Sequence, residues 1–484
     1  MGNKNRENQA CLFFEWYYNS CDIGLRRCTK LKEQNKYMLQ GPLFRNILVY
    51  TLPIIATSIL QLLFNAADLV VVGRFCGSVS VAAVGATGAI TNLIVNLFIG
   101  LSVGAGVTVA HAIGSQEHTA VHRTVHSALP TALIGGVILT VVGVCFSEPL
   151  LRIMGTPENV LPLSAQYMRI YFGGIIFNMV YNFCASILRA AGDTKSPLIF
   201  LTIAGVVNVI LNIFFVTQFH MNVAGVALAT TISQGISAVL VVMALMRRTD
   251  ACKLYLSKLH FYKPQLLKII RIGLPAGIQG SLFSISNVII QSSINSFGDV
   301  LMSGNAAAAN IEAFIYTAMN AFSQTTVNFV GQNAGAQQYK RVYKTVLICM
   351  ASVMVLGLVA GFGVYSCGNA LLSIYITDSA EAIRCGMIRI TYICLPYFLC
   401  GLMDVSTGAL RGLGASVSPM IISILGVCGI RISWILTIFR ISQFHSPQSL
   451  YASYTVSWLI TFSIQFLAFL VIYRKQEKAL LPAA

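Results

Sequence analysis

The chain has 484 residues, 56% of them hydrophobic and only 10% charged, against about 25% charged in ordinary soluble domains. So sparse a charged surface excludes a soluble protein of this size, and the formal net charge of +16 has to be read from where the charges fall. The 13 cysteines are scattered with no C-x-x-C pair, which points to packing in apolar segments, not to a metal or redox motif.

Residues 1–42 read as a polar, basic N-terminal tail in which Glu15 interrupts the apolar patch around Cys11–Tyr18, so no secretory signal is visible and Met38 is an alternative start. Long apolar runs then follow one another, and a run of roughly 20 such residues crosses a bilayer as a helix. Helix is the form expected, because lipid offers backbone groups no partners. Twelve spans are predicted, at 45–72, 80–110, 124–147, 163–188, 197–218, 223–246, 269–296, 304–330, 343–366, 384–410, 417–439 and 450–473.

Span one carries Gln61, Asn65 and Asp68. An ionisable group within a membrane costs about 2.5–3.5 kcal/mol at mid-helix and is a functional candidate by default. Asp68 is the strongest here: a carboxyl withdrawn from water exchanges a proton readily, and its charge attracts a cation. Pairing with Arg74 near the helix end is the structural alternative. His118, His122 and His126, spaced by four, share a helix face that suits zinc but reads better as an interfacial helix at the inner end of span three. Span four offers Asn178 and Asn182, and span five Asn208 and Asn212, one turn apart. Asn65, Asn182, Asn208 and Asn212 would join Asp68 in an ion-coupling pocket, or serve as hydrogen bonds between helices.

A basic linker, 247–268, follows span six. In the second half Gln279, Asn287 and Gln291 lie on span seven, and Glu312, Tyr316, Met319 and Phe322 on span eight. Asp404 lies on span ten. These are the candidate substrate contacts: the acids meet a cation, and aromatic and methionine side chains give adaptable apolar contact. The structural alternatives are ordinary packing and, for Asp404, an ion pair with Arg411 or Arg389. Gly100-x-x-x-Gly104 and Gly357-x-x-x-Gly361 permit close helix contacts. Cys367 and Cys385 fall where one outer loop would hold both, the single disulfide considered. Residues 474–484 form a short basic tail.

Most of the 32 basic residues fall on one side if both ends are cytoplasmic, as the positive-inside rule requires of an even number of spans. The net charge then reflects attraction to anionic inner-leaflet lipid, worth about 1 kcal/mol per surface Lys or Arg, and not nucleic acid. The chain also repeats itself. Leu52-Pro53 returns as Leu274-Pro275, Asn65 as Asn287, and Gly114-x-Gln116 as Gly335-x-Gln337. Leu188-Arg189-x-x-Gly192-x-x-x-Ser196-Pro197 returns as Leu410-Arg411-x-x-Gly414-x-x-x-Ser418-Pro419. The expectation is an all-α membrane protein with an N-lobe at 43–246 and a C-lobe at 269–473, six helices each. Both have one orientation, so a pseudo-two-fold axis along the membrane normal relates them. Rocking of two such lobes opens a central cleft to one side at a time.

These residues resemble a family. Leu52-Pro53, Asn65-Ala66-Ala67-Asp68 and Val72-Gly73-Arg74 look like the first helix of MATE (multidrug and toxic compound extrusion) transporters. So do Gly273-Leu274-Pro275, Val330-Gly331-Gln332-Asn333-x-Gly335-Ala336 and the two Leu-Arg-x-x-Gly blocks, and the resemblance runs from about 42 to 473. It is closer to the DinF-like than to the NorM-like branch. It implies a bacterial inner-membrane exporter of amphipathic organic cations, driven by inward H⁺ or Na⁺ and needing no cofactor, with the acid at Asp68 implicated in coupling. Where many relatives carry Asp this chain has Asn212, one titratable group fewer. NorM-type relatives have an acid one turn earlier on span ten, where Cys400 stands, and another on span seven, which has none before Asp299; that sodium site does not carry over. A monomer suffices, since one chain holds both lobes.

No G-x-x-x-x-G-K-[ST] loop and no catalytic triad are present, so the protein reads as a transporter and not an ATPase or other enzyme. A lipid-linked saccharide flippase of related architecture is the alternative; it predicts an arginine-rich cleft for diphosphate. A membrane enzyme or receptor is the other, and would not require the repeat.

Overall fold

A computed structural model of the chain describes residues 37–377 and 379–480, and every regular element among them is helical. The first half comprises α1 (Leu43–Phe75), α2 (Ser78–Gly114), α3 (His118–Ile153), α4 (Leu161–Gly173 continuing as Ile175–Ala190), α5 (Lys195–Thr217) and α6 (Asn222–Met246). The second comprises α7 (Lys263–Asn295), α8 (Asp299–Gly335), α9 (Tyr339–Ser366), α10 (Ala380–Gly412), α11 (Val417–Arg440) and α12 (Pro447–Lys478). Ten of these are long and apolar enough to cross a bilayer, and α4 makes an eleventh although it bends by 46°. The twelfth, α8, is 37 residues long but carries Asn305, Glu312, Asn320, Gln324, Asn328, Gln332 and Asn333. Some of these groups find backbone partners: Gln332 Nε2 donates to Ala190 O of α4 (2.7 Å) and Asn333 Nδ2 to Phe329 O of α8 itself (2.7 Å), while Gln332 Oε1 and Asn333 Oδ1 are buried without a hydrogen-bond partner among the described residues.

The repeat is legible in the backbone. Gly192 and Gly414 close α4 and α10 at φ +91° and +83°, the left-handed cap that glycine adopts without a Cβ clash. The amide of each donates back to the arginine three residues earlier, Arg189 (2.9 Å) and Arg411 (2.8 Å). Gln116 and Gln337 share a left-handed φ of 60° and 58° after α2 and α8, an uncommon geometry for a side-chain-bearing residue that recurs at matched positions.

The halves meet most closely along α2 and α7, through glycines on both. A Cβ on Gly104 would lie 2.7 Å from Gly273 N and 2.9 Å from its Cα. Only glycine on both faces allows that approach. Nearer the helix ends that carry the linker, His111 Nε2 bonds Gly412 O (2.6 Å), Thr51 and Thr325 hydroxyls bond each other (2.8 Å), and Arg189 Nη1 donates to Gln324 Oε1 (3.1 Å). The other glycine pair, Gly357 and Gly361, lets α9 pack on α10 at Phe398 and Cys394.

Several expected boundaries move. The linker is 247–262, because Lys263-Pro264 already opens α7 with proline at a position that needs no N–H donor. α12 continues through Lys478, so the first five residues of the expected tail, 474–478, are helix. The histidines belong to α3 itself, which begins at His118. His126 Nδ1 bonds His122 O of its own helix (2.7 Å) and His126 Nε2 accepts from Tyr255 N of the linker (3.0 Å), so both ring nitrogens are engaged and neither is left for zinc. Residues 1–36 of the expected tail lie outside the described residues; Met38 within it is fully buried, its carbonyl accepting from Asn333 and Arg341. Cys367 and Cys385 are free thiols on separate elements, which removes the disulfide.

Candidate functional site

Two polar constellations lie within the helices, one in each half. In the first, Asp68 on α1 is half-buried and accepts hydrogen bonds from Asn212 Nδ2 on α5 (2.5 Å) and Thr230 Oγ1 on α6 (3.3 Å). Asn212 Nδ2 also reaches Asn208 Oδ1 (3.2 Å), and Asn208 Nδ2 reaches Thr230 Oγ1 (3.3 Å). Asn208 and Asn212 are buried one turn apart on a single face of α5, as their spacing predicts. Asn212 Oδ1 is buried without a partner among the described residues. No arginine or lysine pairs with Asp68 there, and Arg74 is exposed, so the alternative reading of an Asp68–Arg74 pair falls away. The carboxyl is held entirely by neutral donors.

Asn65 and Gln61 share the helix face of Asp68 but are exposed and make no hydrogen bond among the described residues. Asn182 does not join the cluster: its amide donates to the carbonyl (2.9 Å) and side chain (2.8 Å) of Asn178 on its own helix. Thr230 is the member that sequence reasoning missed. A threonine in an apolar span usually bonds its own helix, as this one does to Val226 O (2.9 Å), and nothing in its context marks a second role.

In the second half α7, α8, α10, α11 and α12, with Asn96 of α2, enclose a cavity of about 520 Å³. Its wall includes Asn287, Glu312, Tyr316 and Asp404, four of the predicted contacts. Glu312 is not free. Arg389 of α10 donates to its Oε2 from Nη2 (2.7 Å) and Nε (3.1 Å), and Tyr397 donates to Oε1 (3.0 Å). The pair is buried, at 9% side-chain exposure for Arg389 and 13% for Glu312. Asn305 Oδ1 completes the arginine's shell (2.6 Å) and accepts from Tyr451 as well (3.0 Å). A π-helical stretch at Ile390–Cys394, followed by a tight turn at Leu395–Tyr397 containing Pro396, lies between Arg389 and Tyr397 and sets the register in which both reach Glu312.

Asp404 is buried, and its Oδ2 has no hydrogen-bond partner among the described residues. Neither expected ion pair forms: Arg389 belongs to Glu312, and Arg411 Nη2 donates to Gln279 Oε1 (2.7 Å). Across the cavity, buried Arg431 lies 4.0 Å from the ring centre of Tyr454 and donates to Ser457 Oγ (2.9 Å). Arg389 and Arg431 carry the same signal as Asp68, a charge in an apolar span; reading Arg389 only as a partner for Asp404, and passing over Arg431, missed the cavity's positive half.

The other predicted contacts lie elsewhere. Met319 and Phe322 are buried in the second half's packed core and do not line the cavity. Gln279 is buried between Arg411 and Ser423 (2.9 Å to the latter). Gln291 is exposed, bonded to Asn305 (3.2 Å) and Asn295 (2.9 Å).

The MatE family model matches residues 53–214 and 275–437, one segment in each half. The chain is 27% identical over 388 residues to the probable multidrug resistance protein YpnP of Bacillus subtilis, covering 80% of this chain and 86% of that protein. It is 21% identical over 396 residues to the multidrug export protein MepA of Staphylococcus aureus (strain N315), covering 81% and 87%. Among solved structures, the fold superposes with a TM-score of 0.85 on a crystal structure of MATE in complex with MaL6, at 19% identity over 91% of this chain and 98% of that one.

Proposed function

The chain belongs to the MatE family, and on that premise we propose that it is a secondary multidrug exporter that exchanges amphipathic organic cations for H⁺ or Na⁺. The observation that carries this reading is the state of Asp68: a half-buried carboxyl supported by Asn212 and Thr230 with no cationic side chain among the described residues to neutralise it. A negative charge so placed is costly in a membrane unless a proton or a cation occupies it. Occupation by the coupling ion and attraction of a cationic substrate then exclude one another, which is the thermodynamic basis of exchange. The two halves alternate access by rocking about the glycine contact of α2 and α7. Both termini and the linker face the cytoplasm of a bacterial cell, and one chain acts as a monomer within membrane lipid.

Arg389 and Arg431 supply an observation for the flippase alternative, since they bring positive charge to the second-half cavity. Glu312 and Asp404 in the same wall offset them one for one, so the cavity lacks the net positive charge that a diphosphate needs. The test is efflux of a cationic dye from proteoliposomes under imposed pH or sodium gradients, comparing wild type with Asp68→Asn. Export by wild type on one gradient, lost in the variant, supports the reading and names the ion. Equal export by both would move coupling away from Asp68.

A further inference from the structure

A second cavity, about 440 Å³, lies between the halves at the end of the bundle that carries the linker. Its walls come from both: His111 of α2 and Glu117 from the first, Gln265, Lys268 and Arg271 of α7 with Gly335 and Gly414 from the second. Lys268 and Arg271, three residues apart on one face of α7, make no ion pair among the described residues. Gln265 is 9% exposed, and its Oε1 has no hydrogen-bond partner there. The cavity therefore offers two free cations for an anion, and beside them two unused acceptors, the Gln265 amide oxygen and the Glu117 carboxylate, for a donor. On the neighbouring face of α7, Leu267, Ile270 and Leu274 are 56%, 36% and 40% exposed. These apolar side chains lie on the same two turns of α7 as Lys268 and Arg271 and offer contact to an acyl chain.

We propose that this cavity binds a phospholipid headgroup in which a phosphate is followed by an N–H or O–H donor, as in phosphatidylethanolamine or phosphatidylglycerol. Lys268 and Arg271 hold the phosphate through charge-assisted hydrogen bonds, and Gln265 and Glu117 accept from the ethanolamine or glycerol end. Choline has no such donor, so phosphatidylcholine fits the phosphate side only. Because the walls come from both halves, the lipid binds the arrangement in which His111 reaches Gly412 and stabilises it over any in which the halves part at this end. This lipid dependence is separate from the coupling assigned to Asp68.

The experiment is native mass spectrometry of the full-length protein in detergent, titrated with phosphatidylethanolamine, phosphatidylglycerol or phosphatidylcholine, and separately with inorganic phosphate as competitor. Lys268→Gln with Arg271→Gln should weaken binding of the first two lipids by about tenfold or more, while the exposed control pair Lys340→Gln with Lys344→Gln leaves it unchanged. Gln265→Leu with Glu117→Leu, which keeps both cations, should abolish the preference for ethanolamine and glycerol headgroups over choline, and Gln265→Leu alone should reduce it. Equal losses in the two lysine-containing doubles, or no headgroup preference in wild type, would overturn the proposal. Displacement of the lipid by millimolar phosphate would overturn the lipid as the source and assign the site to the free anion.

Discussion

Asp68 in the first half receives its hydrogen bonds from an amide and a hydroxyl, Asn212 and Thr230, whereas Glu312 in the second receives two from Arg389 and one from a tyrosine. Both acids lie inside helices that cross the membrane, and the difference lies in what neutralises them. Glu312 has a cation fixed by the chain itself, so its charge is part of the architecture. Asp68 has none among the described residues, and under the proposed function a mobile ion takes that place. Asp404 stands between the two, buried beside cationic residues that are engaged elsewhere. Substitutions at Asp68 should therefore change transport and spare folding, and substitutions at Glu312 should cost folding stability.

The largest expected effect is on transport at Asp68. Asp68→Asn keeps the shape of the side chain and removes its charge, so gradient-driven dye efflux should fall to the leak of protein-free liposomes while the thermal unfolding midpoint barely moves. A large loss of thermal stability in this variant would break the comparison, because it would make Asp68 structural too. Next is Glu312→Gln, which leaves the Arg389 guanidinium buried without its counter-charge. Breaking a buried pair in this way costs about 3–5 kcal/mol, and thermal unfolding in detergent should register it. Replacing both members, Glu312→Gln with Arg389→Met, should recover most of that loss, because the cost lies in the orphaned charge and not in the missing contact.

Both halves of the fold were legible in the sequence, because apolar runs, basic loops and the returning Leu-Arg-x-x-Gly block are local signals that lipid enforces strictly. The polar helix α8 was legible too, as span eight at 304–330. What lay beyond reach was side-chain partnership. Asn208 and Asn212 announce a shared face by their spacing, but nothing local says that Asn182 turns to its own helix while Thr230 turns to Asp68. Likewise Glu312, Arg389 and Tyr397 meet only because a π-helical stretch and Pro396 reset the register of α10, and such an insertion has no dependable sequence signal. Met319 and Phe322 failed for the same reason: helical spacing alone did not tell the cavity wall from the core beside it.

Within the first-half cluster, Asn212→Leu removes a donor to a carboxylate, a bond of the kind worth about 1.5–3 kcal/mol. The concentration of coupling ion that gives half-maximal efflux should therefore shift by roughly tenfold or more, with export still gradient-driven. An unchanged ion dependence would mean that the neutral donors do not tune Asp68 at all, and the contrast with Glu312 would lose half its content.

The smallest effect is expected at Thr230, and its size tests how the cluster tolerates two charge states. The hydroxyl has one proton and two acceptors within reach, Val226 O at 2.9 Å and Asp68 Oδ2 at 3.3 Å. When Asp68 is charged, the proton serves the carboxylate. When Asp68 is protonated, the hydroxyl turns to Val226 O and accepts from the acid instead, so a single rotation about χ1 or the C–O bond satisfies either state. Thr230→Val keeps the branched shape and removes this adaptable partner, at a cost of about 1 kcal/mol. Because the bond is available in both states, the loss falls on both, and the half-maximal ion concentration should move by less than about fivefold, well short of the Asn212→Leu shift. Thr230→Ser should restore wild-type dependence. A Thr230→Val shift equal to that of Asn212→Leu would mean that the hydroxyl serves the charged state alone.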